Sequence, residues 1–231
     1  MTIASLGVAF QMFNAAFLNS PVMTATELEK RLAVALTRFQ ARGLSWAFWT
    51  CEDWLDRPVQ RRLTQICNTY GLRLSSELPG MMAHDLTKQR RALPPVEFRR
   101  AVGASALNDF RTVGGACFHV PPEWFAEVFN DDVGETCPEF KCWVGYVEGL
   151  PVTTAATLIS DGVIGLYNIA TVPGYRGRGI AEAMTRHVVA VTRAEAGDLP
   201  LILQATSLGM RMYNRLGFRE TTRILVFNSI R

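Results

Sequence analysis

The stretch Val172-Pro173-Gly174-Tyr175-Arg176-Gly177-Arg178-Gly179-Ile180-Ala181 decides how this chain is read. Upstream, Val163 to Val172 is an apolar, β-branched run and reads as a strand. Downstream, Ile180, Ala183, Met184, His187, Val188 and Val191 recur at helical spacing from Gly179 to about Ala194. Between them lies a glycine-rich turn. Glycine lets the backbone approach a ligand closely and take φ values that other residues avoid. The first N–H groups of a helix have no partner inside it. With the helix dipole they form an anion site suited to a pyrophosphate. The plainer alternative is an ordinary strand–turn–helix connection with glycines for tightness. Two nucleotide-binding patterns are excluded. In GxGxxG the third glycine would stand where this chain has Glu182, which is bulky and negative, and no GKS or GKT follows the turn.

Working outward, a strand at Leu201–Gln204 leads through Ser207 to a helix at Leu208–Leu216 that carries Tyr213, and Gly217-Phe218 opens a last strand to Asn228. On the other side, Phe140–Val147, Val152–Ile159 and Val163–Val172 are separated by the turns Glu148-Gly149 and Asp161-Gly162, which predicts an antiparallel meander. Before it come a strand at Val96–Val102 and helices at Ala104–Val113 and Pro122–Asn130. The first part of the chain reads as a helix from Thr24 or Thr26 to Arg42, a strand at Ser45–Thr50, a helix at Pro58–Tyr70 and a strand at Leu78–Leu86. Thr87–Pro95, with Lys88, Arg90, Arg91 and the pair Pro94-Pro95, is the expected linker: a solvated connector or, alternatively, a phosphate contact. The expected organisation is therefore a mixed α/β sheet protein with an N-terminal domain at 1–86, a linker at 87–95 and a second domain at 96–231. Asn68-Thr69-Tyr70-Gly71-Leu72-Arg73 is echoed by Asn214-Arg215-Leu216-Gly217-Phe218-Arg219, 146 residues on. Either the echo is coincidence or the two parts are related domains. With that offset, 176–181 falls on Lys30–Ala35, inside a helix and without glycine, and Tyr213 falls on Cys67. Trp46, Phe48, Trp49 and Trp54 read as core or interface, with stacking on a hydrophobic acceptor as the sharper alternative.

The 231 residues are 48% hydrophobic and 19% charged, a composition too apolar for a disordered tail. A net charge of +3 is too small to argue for nucleic-acid binding. The five cysteines form no CxxC and the three histidines are scattered, so free thiols and no metal site are expected, with Cys117 and Cys142 as buried small side chains. Ile3–Leu18 carries no charge but is interrupted by Gln11 and Asn14 and lacks a basic start. It reads as a buried strand with its neighbours rather than a signal peptide, and a cytoplasmic protein without membrane partners is expected.

Arg176-Gly177-Arg178-Gly179-Ile180-Ala181, preceded by Val172-Pro173, resembles the signature of the GNAT superfamily, the acyl-coenzyme A-dependent N-acyltransferases. The resemblance covers about Val96–Arg231 and implies a GNAT-like fold there; it is faint for residues 1–95, which would be a degenerate copy if the echo reflects related domains. It further implies acetyl-CoA as cosubstrate and direct attack by an amine of a small molecule or peptide. Coenzyme contacts would come from Ala170, Thr171, Val172, Arg176, Gly177, Arg178, Gly179, Ala181 and Ser207, with an oxyanion-holding amide near Ala170–Val172. Tyr213 would be the general acid that protonates the leaving thiolate. Some members carry a glutamate where this chain has Tyr167 and Asn168, which leaves His119, Glu123, a water chain or a neutral amine for the base role. The other class of reading is a coenzyme A-binding regulatory or scaffold module without turnover. A homodimer is compatible with either.

Overall fold

The computed structural model describes residues 1–130 and 137–230. In chain order its elements are β1 (Thr2–Ser5), β2 (Asn14–Phe17), α1 (Ala25–Gln40), β3 (Ala47–Cys51), α2 (Arg57–Thr69), β4 (Leu72–Ala83), β5 (Glu97–Arg100), α3 (Ala104–Phe118), α4 (Pro122–Val128), β6 (Phe140–Val147), β7 (Leu150–Ser160), β8 (Val163–Thr171), α5 (Ile180–Ala196), β9 (Leu201–Gln204), α6 (Met210–Leu216) and β10 (Arg219–Ser229). Two compact units divide the chain after Gly80, and the last segment, from Glu220, belongs with the first unit. The expectation had placed the boundary at 87–95 and the whole C-terminal strand in the second domain. The strand goes elsewhere because it is paired there: Ile224–Asn228 of β10 run antiparallel to Ala47–Cys51 of β3, and Leu225 and Phe227 enter that unit's core.

In the first unit the strand order is β1-β2-β3-β10-β4. β2 and β3 are parallel and joined by α1, a βαβ crossover, and α2 then leads to β4. The crossover closes because Leu28, Leu32, Ala35 and Phe39 fall on one face of α1 and are fully buried with Trp46, Phe48, Leu63 and Ile66. Each such Leu or Phe contributes roughly 1.5–3 kcal/mol. Trp46 and Phe48 are thus core residues, Trp46 stacked on Phe39 at 5.2 Å. The uncharged N-terminus is a hairpin: β1 pairs antiparallel with β2. The polar residue that interrupts it, Asn14, is fully buried and ties it together, its amide donating to Val8 O (2.7 Å) and Ser45 O (3.2 Å).

The second unit takes the order β5-β6-β7-β8-β9, followed by Met81–Ala83 of β4. The expected meander is present, with β5, β6, β7 and β8 antiparallel in turn. β8–α5–β9 is again a parallel crossover, and α6 follows. α5 buries Ile180, Met184, Val188 and Val189 on a core that includes Ile164, Leu166, Leu201, Leu216 and Phe218. The order strand–helix–parallel strand–helix therefore occurs in both units, and Gly71 and Gly217 end the second helix of each with positive φ. No helix among the described residues is long and apolar enough to cross a membrane, and no group of three or more metal-ligating side chains is present among them.

Candidate active site

The site begins where two strands part. β8 and β9 pair only at Ile164/Leu201 and Gly165/Ile202, although β8 runs on to Thr171 and β9 to Gln204. A bulge sharpens the divergence. Tyr167 and Ala170 of β8 face Ala156 and Thr154 of β7, so one residue is extra, and Asn168 takes a left-handed φ of 49° with its carbonyl accepting from Thr154 Oγ1. Past the bulge, the outer side of β8 borders a cavity of about 290 Å³, lined by Ile169, Ala170 and Thr171, the turn at Tyr175–Gly177, the start of α5, Thr206, Leu208, Gly209, Met212, Tyr213 and Arg215.

Backbone alternation decides which groups of β8 are free. Ala170 O accepts from Thr153 Oγ1, and Val172 N donates to Val152 O at 3.0 Å, so both residues face β7. Thr171 faces the other way. Its carbonyl accepts from Arg176 Nε at 2.8 Å, and its N–H points to the open side. A ligand amide or thioester oxygen laid along this edge can meet Thr171 but not the N–H of Val172.

The start of α5 is the second component. Its N-cap, Gly179, sits at φ 90° and offers no side-chain cap. The corresponding helix of the first unit contrasts with it. There Thr24 Oγ1 accepts from Glu27 N, and Glu27 Oε2 accepts from Met23 N, a reciprocal cap that occupies the helix start. One crossover is closed by its own side chains and the other has no side-chain cap. The turn facing α1 is Leu18–Thr24, not Lys30–Ala35, so the two units do not keep the constant offset of 146 residues. Glu182, whose side chain retains 10% exposure, lies in the first turn of α5 and is held by Arg186 Nε at 3.1 Å.

Tyr213, on α6, is 7% exposed and forms part of the cavity wall. Its ring sits edge-on to Phe218 at 5.7 Å, and a Cβ on Gly209 would lie 2.7 Å from it, so the ring's place requires glycine there. Burial pushes its phenol well above the ordinary value of 10. Cys117 also lines the cavity and is half-buried, not the inert core thiol expected. Burial raises its pKa, and a hydrogen bond from Arg176 opposes the rise. Cys142 is buried, its thiol pushed up to about 12.

Of the expected site residues, the structure gathers Ala170, Thr171, Arg176, Gly177, Gly179, Ala181 and Tyr213 around this one cavity. Three lie outside its wall. Val172 is taken up by β7, Arg178 lies over the Tyr175 ring at 5.0 Å, and Ser207 is exposed between Thr206 and Leu208, which do line it. His119 is an exposed left-handed C-cap of α3 and Glu123 is exposed on α4, and neither reaches the cavity. Among the described residues Glu182 is the cavity's one carboxylate, already paired with Arg186. Sequence reasoning did not bring Cys117, Phe118 or Arg215 to the site, and it offered Arg91 only within a cluster whose alternative role was a phosphate contact. Only Arg91 had a signal, the basic cluster before the proline pair.

Residues 138–220 match the family model of the acetyltransferase (GNAT) domain. Among solved structures, the chain resembles a GCN5-related N-acetyltransferase from Kribbella flavida (19% identity, 96% of this chain and 83% of that one, TM-score 0.73). It also resembles a conserved protein of unknown function from Staphylococcus epidermidis (16%, 94% and 84%, TM-score 0.66) and a GCN5-related N-acetyltransferase from Sphaerobacter thermophilus (18%, 87% and 66%, TM-score 0.60). No curated protein matches it in sequence. The fold is that of the GNAT acetyltransferases, and the likeness extends over the first unit as well.

Proposed function

We propose that the chain transfers an acyl group, acetyl foremost, from coenzyme A to a primary amine. One observation carries the reading: an uncapped helix start stands beside a strand whose outer edge is free, in one cavity. The first suits a diphosphate. The second suits a pantetheine arm, whose amides can lie along the free edge as an added strand would, leaving the N–H of Thr171 for the thioester. The thioester would then lie deep in the cavity, toward Tyr213.

The amine attacks the thioester carbonyl, a tetrahedral intermediate forms, and the thiolate leaves. The N–H of Thr171 is the backbone donor placed for the oxyanion. Tyr213 gives its proton to the departing sulfur. Its raised pKa keeps it protonated at neutral pH, and the same dry surroundings raise the affinity of a bare thiolate for a proton. The proton therefore moves as the C–S bond breaks, and the one released by the former amine replaces it. The cavity holds no free carboxylate or imidazole among the described residues, so the amine enters neutral or loses its proton to water.

That same feature supports the second reading, a coenzyme A-binding module without turnover. A mass-spectrometric screen of acetyl-CoA against small amines and peptide N-termini separates the two. Time-dependent acylation of an amine, slowed in Tyr213→Phe, supports the enzyme. Saturable coenzyme binding with no acylated product supports the module.

A further inference from the structure

We infer that Arg91, on the strap before β5, is a further ligand of the coenzyme's diphosphate; this rests on the coenzyme A reading above. Residues 84–96 form neither helix nor strand and are mostly exposed, as a connector would be, yet they are tied down at several points. Thr87 N donates to Leu216 O at 2.9 Å, Thr87 Oγ1 to Arg215 O at 2.7 Å, and Arg186 Nη1 to Thr87 O at 2.7 Å. Farther along, Leu93 and Pro94 press on the turn: a Cβ at Gly179 would lie 3.4 Å from Pro94 Cδ and 3.3 Å from Arg91 Nη2. The strap is thus fastened across the start of α5, with the Arg91 guanidinium at the mouth of the anion turn and in the cavity wall.

Arg91 has a poor partner where it stands. Its Nη2 lies 3.5 Å from Glu182 Oε2, at the limit of a hydrogen bond, and its side chain is 54% exposed. Glu182 is already satisfied by Arg186 at 3.1 Å from the same helix face. One carboxylate therefore faces two guanidinium groups, beside a helix end that is itself positive. Arg176 and Arg215 add two more cations to the wall. This surplus is repulsive until an anion enters, and a guanidinium can grip a phosphate through two parallel N–H groups. A strap that brings Arg91 to the turn makes part of the anion site from residues outside the strand–turn–helix motif.

The test is calorimetry on the full chain with coenzyme A and with phosphate-free pantetheine, alongside thermal unfolding. Arg91→Ala is expected to raise the Kd for coenzyme A about tenfold or more. Discrimination between coenzyme A and pantetheine should shrink by the same factor, and Arg91→Lys should restore part of it. Glu182→Gln, which removes a competing carboxylate, should tighten coenzyme binding. The inference is overturned if Arg91→Ala binds coenzyme A as the parent does. It is equally overturned if Glu182→Gln weakens binding as Arg91→Ala does and both lower the melting temperature, since Arg91 would then only hold Glu182 in place. A parent protein that binds no coenzyme A overturns the underlying reading and this inference with it; a parent that binds beside an indifferent Arg91→Ala overturns this inference alone.

Discussion

Tyr213 is buried and His187 half-buried on helices of the second unit, and burial acts on them in opposite directions. The phenol is kept protonated, so kcat should show no falling limb from Tyr213 below about pH 10. Tyr213→Phe should lower kcat about 100-fold while the Kd for coenzyme A stays within about twofold, read by stopped-time assays and calorimetry. Equal losses in both would make the ring structural. His187 is stacked on Phe98 at 4.3 Å and edge-on to Trp143 at 5.2 Å, with Nε2 buried and unpartnered among the described residues. Burial lowers its pKa below 6.5, so the unfolded chain binds the proton more readily than the folded one. Its neutral form contributes stability that is whole above about pH 6.5 and declines as the pH falls toward and through the folded pKa. Between pH 7 and 5 the parent should therefore lose more melting temperature than His187→Leu does. Parallel losses would remove His187 from that account.

The two crossovers differ in the residues at the helix start: α1 is capped by side chains and α5 is not. Thr24→Ala removes a cap and should destabilise the protein by about 1 kcal/mol in denaturant unfolding, with coenzyme A binding unchanged. Gly217→Ala asks the reverse of a helix end. At φ 102°, with a Cβ 3.0 Å from Asp85 O, it should cost more than 1 kcal/mol. These elements were legible in the sequence because their signals are local. Leu28, Leu32, Ala35 and Phe39 mark α1, Glu148-Gly149 and Asp161-Gly162 mark the hairpins, and the anion turn carries its own glycines. Helix ends were less so: α3 continues from the expected Val113 to Phe118 through Gly114 and Gly115, two residues that lower helix propensity but sit buried. Gly114 stays because a Cβ there would lie 2.6 Å from the Phe125 ring of α4.

At the scale of the molecule, the path of the last strand was not legible. The alternation Ile224-Leu225-Val226-Phe227 suits any half-buried strand, and only pairing with β3, far away in sequence, assigns it to the first unit. The same holds for Cys117 and Arg91, which reach the cavity through tertiary packing. A fragment of residues 96–231 should accordingly fail to unfold cooperatively. It would expose Leu225 and Phe227, buried in the first unit's core, and would lack Met81 and Ala83 of the second. A sharp melting transition for that fragment would refute the division. The central claim is that the open start of α5 grips a diphosphate, and the most direct test is titration of coenzyme A into the full chain and into Gly179→Glu by calorimetry. The account predicts saturable heat from the parent and none from the folded variant, whose carboxylate would occupy the anion turn; absence of heat from the parent, or equal affinity in both, would contradict it.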